Sequence, residues 1–138
     1  MAITPVTINN KTIPMAGFDE GSTYTGKDNN ATQCMGFGYK VYDYLWGSYT
    51  YGSSISSFTC TNGSTVQSSF ANVKVGAMFT GHRRNQSYNH TVIIIGKSST
   101  GVTVYHANWP SAGTVGALTW TWAKFSEVFD SFVSGRNP

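Results

Sequence analysis

Residues 89–96, Asn89-His90-Thr91-Val92-Ile93-Ile94-Ile95-Gly96, constrain the fold more than any other stretch of this chain. A run of β-branched apolar residues favours a strand, and one this unbroken favours a strand buried on both faces except at its polar start. Lys97-Ser98-Ser99-Thr100-Gly101 reads as a hairpin loop, and Val102 to Trp109 as the returning partner strand. Side chains alternate across a strand, so Val102, Val104, His106 and Asn108 share one face. His90 opens the first strand, and a hairpin turning near Ser99 brings it into the region of residues 106–108. Two imidazoles and an asparagine then meet at the open end of an apolar sheet, where burying polar groups without partners is costly.

A second stretch carries the chemistry. In residues 30–47, Phe37, Val41, Tyr44 and Leu45 recur at the spacing of an amphipathic helix. Thr32 or Asn30 is placed to cap its start, and Gly47 stands where a helix ends. Cys34 therefore falls in the first turn, where free backbone N–H groups and the helix dipole stabilise a thiolate. The structural alternative is a small apolar residue packed at a helix start.

The remaining elements are read from the same rules. Val6-Thr7-Ile8 is an edge strand, and Pro14 keeps Ile13-Pro14-Met15 out of a sheet centre. Residues 21–30 form a loop, and 47–71 a polar surface excursion with a short helix near Val66–Phe70. Val73–Thr80 is a strand entered through a turn, His82–Asn89 a loop, Val115–Trp120 a strand, and Trp122–Phe129 a terminal helix capped by Thr121. The expected class is α+β with an antiparallel sheet, in one domain over residues 1–138, with 1–25 an extension packed on or near the core.

Charged residues make up only 11% of the chain, and the net charge of +3 includes no dense basic run beyond His82-Arg83-Arg84. Nucleic acid is not expected as a partner, since that needs a broader basic face. No apolar run reaches membrane-spanning length, so no membrane is expected either. The start, Met1-Ala2-Ile3-Thr4-Pro5, lacks a signal-peptide pattern. A mature secreted chain reads this way, and so does a cytosolic one; richness in Gly, Ser, Thr, Asn and Tyr tilts the expectation to a secreted or cell-wall-associated bacterial protein. The two cysteines, Cys34 and Cys60, make no disulfide scaffold. They can pair once, but a catalytic Cys34 leaves Cys60 a bystander in a loop or at a strand edge.

Together these residues supply a nucleophile (Cys34), a base to take its proton (His90), and a group to hold that base's ring (His106 or Asn108). The Cys34 backbone N–H points where an oxyanion would form, and Gln33 with the amides of Asn29 and Asn30 offers a second donor. Tyr49, Tyr51, Tyr88 and Trp109 are candidates to line a cleft for sugar or peptide. Taken singly, each residue also has a structural reading, with His90, His106 and Asn108 as satisfied strand-end residues and His82 as a loop residue.

The order of these motifs resembles the papain-like amidase and peptidase superfamily of bacterial cell-wall enzymes, in its CHAP (cysteine, histidine-dependent amidohydrolase/peptidase) and NlpC-type branches. Gln33-Cys34 is similar to the CHAP "QC", Val75-Gly76-Ala77-Met78-Phe79 to "P-G-D-I", and His90-Thr91-Val92-Ile93-Ile94 to "H-V-A-I-V". Tyr105-His106-Ala107-Asn108-Trp109 resembles both "S-E-Q-N-W" and, through His106-Ala107, the NlpC-type "I-H-A". The resemblance covers roughly residues 25–110. It implies a papain-like fold with Cys34 as nucleophile, His90 as general base, and His106 as orienting residue with Asn108 assisting or replacing it. Gln33, Asn30, Tyr88 and Trp109 are the implied oxyanion and substrate contacts, with no cofactor and no metal.

The chain also departs from the pattern. Residue 77 is alanine rather than aspartate, residue 106 is histidine where CHAP has glutamate, and Asp28 stands alone where some CHAP domains have an acidic calcium loop. Asp28 also occupies the place of the papain-type oxyanion glutamine. The implied activity is amide cleavage through a thioester acyl-enzyme, with peptidoglycan peptide as substrate, by an endopeptidase or N-acetylmuramoyl-L-alanine amidase. An inhibitor or immunity protein is a natural partner for such an enzyme. Competing readings keep the triad in a protein-cleaving peptidase, an acyl transferase or a delivered effector toxin, or keep the fold in a catalytically silent wall-binding module.

Overall fold

In the computed structural model, which describes residues 2–27, 33–109 and 111–138, the β-branched run lies inside a sheet. The chain runs β1 (Val6–Ile8), β2 (Lys11–Ile13), α1 (Cys34–Trp46), β3 (Ser53–Ser54), α2 (Gly63–Ser69), β4 (Met78–Arg83), β5 (Asn89–Lys97), β6 (Gly101–Ala107), β7 (Val115–Thr121), α3 (Trp122–Val128) and β8 (Phe129–Asn137). β1 and β2 form a small hairpin, turned by Asn9 and Asn10 at φ 51° and 62°. The other strands form one antiparallel sheet in the order β3-β8-β4-β5-β6-β7. The class is α+β with an antiparallel sheet, as expected from a helix followed by a run of strands.

The sheet separates two apolar clusters. On one face Phe79, Val92, Ile94, Val102, Val104 and Trp120 pack with Val66 of α2, Phe70 just after it, Phe125 of α3 and Phe129 at the start of β8. On the other face Ile93, Ile95, Tyr105 and Ala107 lie under Phe37, Val41, Tyr42 and Leu45 of α1. Ile3, Ile8 and Ile13 of the N-terminal extension join this second cluster, and Ile13 is fully buried. Each large apolar side chain so buried stabilises the fold by about 1.5–3 kcal/mol.

α1 sits close because Gly38 allows it. A Cβ at that position would stand 2.7 Å from Thr91 Cγ2. The helix ends at Gly47, whose left-handed φ of 89° lets its N–H reach Asp43 O at 2.7 Å. Among the described residues no helix is long and apolar enough to cross a membrane.

Three expectations are corrected. Residues 47–71 are not a surface excursion, since Ile55, Cys60, Val66 and Phe70 are all core residues. The helix there begins at Gly63 behind an Asn62 cap that accepts from Thr65 N–H. His82 and Arg83 continue β4 rather than opening a loop. The chain does not end in a helix: β8 inserts between β3 and β4. Thr121 caps α3 as expected, accepting from Lys124 N–H at 3.1 Å.

Candidate active site

The hairpin of β5 and β6 brings the two histidines into contact. Continuing the register past its Ile93–Tyr105 pair sets His106 opposite Val92, diagonal to His90 on the same face. His90 Nε2 and His106 Nδ1 are 2.8 Å apart, a hydrogen bond between buried rings. The rings sit in an aromatic surround. Trp109 lies 5.3 Å from His90 and 6.0 Å from His106, Phe129 stacks beside His90, and Trp120 meets His106 edge-on at 72°.

This apolar environment fixes the charge state. Burial pulls the pKa of His90 down to about 4, and the neighbouring Arg83 charge adds to the effect. Burial pulls His106 well below the ordinary histidine range, reinforced by His90. Both imidazoles are neutral at pH 7, so one must donate and the other accept.

The free nitrogens distinguish the two tautomers. His106 Nε2 is fully buried without a partner, whereas His90 Nδ1 makes no hydrogen bond and is not among the fully buried atoms. With protons on His90 Nε2 and His106 Nε2, the orphan is a buried N–H and His90 Nδ1 is an open proton acceptor. With protons on the two Nδ1 atoms, the orphan is a buried lone pair and His90 Nδ1 is a donor. General-base chemistry at His90 requires the first of these.

Cys34 is the first residue of α1. Its cap position is Gln33, which is extended at φ −103° and makes no side-chain bond to the helix. The expected capping residues, Thr32 and Asn30, are not among the described residues, and nor are Asp28 and Asn29. Gln33 is exposed.

Around the thiol the clearest neighbour is one that sequence reading missed. Burial raises the pKa of the Tyr24 hydroxyl, the Cys34 charge raises it further, and a hydrogen bond with the Asn108 side chain opposes both. Tyr24 thus bonds Asn108 and lies within electrostatic reach of the thiol. Asn108 Oδ1 in turn accepts from Gly113 N–H at 2.7 Å, holding a loop that starts at its own φ of 64°. Of the two residues proposed to orient the base, His106 touches His90, and Asn108 bonds Tyr24 instead.

The thiol and the base are not bonded to each other. His90 and His106 project among Trp109, Trp120 and Phe129 on the face turned away from α1. Gly38, one turn beyond Cys34, lies against Thr91 on the near face, and Cys34 Sγ has no hydrogen bond to either ring among the described residues. His90 and His106 sit where β5 begins and β6 ends.

The expected aromatic contacts divide. Tyr88 and Trp109 line a cleft of about 370 Å³ with Arg83 and Asn108. Tyr49 stacks on Tyr39 at 4.5 Å and Tyr51 on Trp46 at 6.2 Å, where they brace α1 instead. His82 bonds Asp130 at 3.0 Å on the opposite face from His90. Cys34 and Cys60 are both free thiols, and burial pushes Cys60 up to about 11. Among the described residues no three His, Cys, Asp or Glu side chains gather as metal ligands would.

Arg83 was the second residue missed. Strand alternation could have found it, since Phe79, Gly81 and Arg83 share the face that carries His90. Compared with protein-family models, curated proteins and solved structures, the chain matches none of them.

Proposed function

We propose that this protein is a cysteine hydrolase that cleaves amide bonds through a thioester on Cys34, with His90 as base and His106 as the residue that orients it. The observation that carries this reading is the 2.8 Å bond between His90 Nε2 and His106 Nδ1, which leaves His90 Nδ1 open. A neutral imidazole held by a second ring is a general base in waiting. The thiol gives its proton to His90 Nδ1 as sulfur attacks the carbonyl. The imidazolium returns that proton to the leaving amine, and water then hydrolyses the thioester with His90 as base again.

The Cys34 N–H at the start of α1 and the Tyr24 hydroxyl are the donors for the oxyanion. The reaction requires the Cys34 thiol and His90 Nδ1, whose elements lie on opposite faces of the sheet, to meet around its edge on a substrate held at the end of β5 and β6. The resemblance to CHAP and NlpC-type enzymes makes peptidoglycan peptide the proposed substrate and the cell wall the proposed place of action.

A second reading is favoured by one observation, the missing bond between Cys34 and either ring. It makes the chain a silent wall-binding module whose aromatic cleft survives. Alkylation of Cys34 by iodoacetamide across pH, with purified peptidoglycan digests read by mass spectrometry, separates the two. The hydrolase reading expects released peptide fragments, and Cys34 alkylation slowed about tenfold or more in His90→Gln at pH 7. Intact peptidoglycan together with alkylation indifferent to His90 establishes the binding module.

A further inference from the structure

Arg83 carries a cation that the fold does not use. Its backbone closes the β4–β5 hairpin, with N–H to Tyr88 O at 3.0 Å and O accepting from Gln86 N–H at 3.1 Å. Among the described residues its side chain makes no hydrogen bond, and Nε is buried without a partner. No described carboxylate lies within ion-pair distance of it. Other cations differ. Arg84 donates to the carbonyls of Ser126, Cys60 and Phe129, Lys97 to Phe70, and Arg136 to Gly52.

What holds the Arg83 side chain is aromatic. Its guanidinium carbon stands 3.9 Å from the centre of the Trp109 ring and 5.8 Å from that of Tyr88. These ring contacts engage the charge without a hydrogen bond, and while Nε is buried, the two Nη groups are not, which leaves their N–H groups to meet a carboxylate. The same four residues, Arg83, Tyr88, Asn108 and Trp109, line the cleft of about 370 Å³ at the His90 end of the sheet. Trp109 covers His90 as well as Arg83, so the cation and the base share one wall.

We infer that Arg83 is the specificity residue of this site: its guanidinium clamps a carboxylate of the substrate, so that the hydrolase acts on peptides acidic next to the scissile amide. This rests on the hydrolase reading for the word substrate, but not for the anion site itself. There is a consequence for the base. A bound carboxylate neutralises one of the two influences that hold the His90 proton affinity down, so an acidic substrate strengthens the base that acts on it.

The test uses the full chain and paired chloroacetyl peptides, with a glutamate carboxylate at the α or the γ position and its carboxamide twin as control. Cys34 labelling at pH 7 is followed by mass spectrometry. The acidic member of one pair labels about tenfold faster in the parent chain. That preference vanishes in Arg83→Gln, is partly kept in Arg83→Lys, and weakens in high salt. Equal rates for both members of each pair, or a preference that persists in Arg83→Gln, overturn the inference while leaving Cys34 reactivity intact.

Labelling no faster than that of free cysteine sinks the hydrolase reading instead. The anion site is then read separately, from the Trp109 indole resonance as N-acetylglutamate α-amide is titrated into the Cys34→Ala chain. A shift that Arg83→Gln abolishes supports the site, and no shift overturns it. Arg83→Lys stands in should the glutamine variant fail to fold.

Discussion

Two residues of similar promise, His106 and Asn108, take different parts once their partners are known. His106 Nδ1 bonds His90 Nε2 at 2.8 Å, and as the acceptor in that bond it holds both the tautomer and the ring plane that a base requires. Asn108 is tied to Tyr24 and to the Gly113 amide, and so acts on the loop and on the thiol's side of the site. Removing the first leaves His90 free to rotate and to bind its proton on the wrong nitrogen; removing the second loosens a turn. We therefore expect His106→Ala to lower kcat by about a hundredfold and Asn108→Ala by less than about tenfold, with KM little changed in either. His106→Asn, which keeps an acceptor near the Nδ1 position, should recover part of the loss. Steady-state kinetics on a released-peptide assay checks the order, and equal losses in the two alanine variants would show that neither residue orients the ring.

At the scale of elements, the site depends on how closely α1 lies on β5. Gly38 is the contact point, because a methyl there meets Thr91 Cγ2 at 2.7 Å and Met78 Sδ at 3.5 Å. Thr91 cannot easily give way, since its hydroxyl is bonded to Thr80 at 2.7 Å inside the sheet. Alanine gains about 1 kcal/mol in helix propensity over glycine, and the overpacking costs about 1–3 kcal/mol, so overpacking wins. Gly38→Ala should lower stability by about 1 kcal/mol and displace the start of α1. The double variant Gly38→Ala/Thr91→Ser, which deletes the clashing methyl, should restore it, and urea unfolding of the three chains decides the matter. Such a contact is invisible in one sequence, where Gly38 reads only as a weak helix residue. What was legible followed from strong periodicity: the β5–β6 hairpin, the apolar stripe of α1 and the Thr121 cap. What was not legible lacked it. β8 (Phe129-Asp130-Ser131-Phe132-Val133-Ser134-Gly135-Arg136-Asn137) breaks its alternation where the pairing with β4 shifts register at Gly81 and Arg83. The core residues Ile55, Cys60, Val66 and Phe70 are scattered singly through Gly- and Ser-rich chain, so no window signalled their burial. Tyr24 stands in a loop of small residues with no pattern to mark it. Of the candidate site, the meeting of His90 and His106 was legible from the hairpin register, while the partner that Asn108 takes and the faces of the sheet on which the rings and α1 lie needed the third dimension.

For the molecule as a whole, two neutral imidazoles buried against tryptophan and phenylalanine couple folding to acid. In the unfolded chain a histidine binds its proton near pH 6.5, whereas His90 in the fold binds it only near 4 and His106 lies below the ordinary range as well. Between those values the unfolded state holds more protons than the folded state, so stability rises with pH. The contribution of the pair is complete above about 6.5 and drains away as pH falls toward 4. His90 alone accounts for on the order of 3 kcal/mol across that window, a large share of the 5–15 kcal/mol typical of a domain. Asp19 and Asp130, whose carboxyls are held below their usual range, act in the same direction but only at lower pH. The urea midpoint should therefore fall between pH 6.5 and 4.5 in the parent chain, and much less in the His90→Gln/His106→Gln double variant. The same depressed affinity sets the chemistry, because a base that stays unprotonated down to about pH 4 should carry the acid limb of kcat/KM well below the usual histidine range. Parallel midpoints in the two chains, or an acid limb at pH 6.5, would mean that these rings are charged or solvated in the fold. The closed aromatic surround of Trp109, Trp120 and Phe129 could not then exist in solution as described.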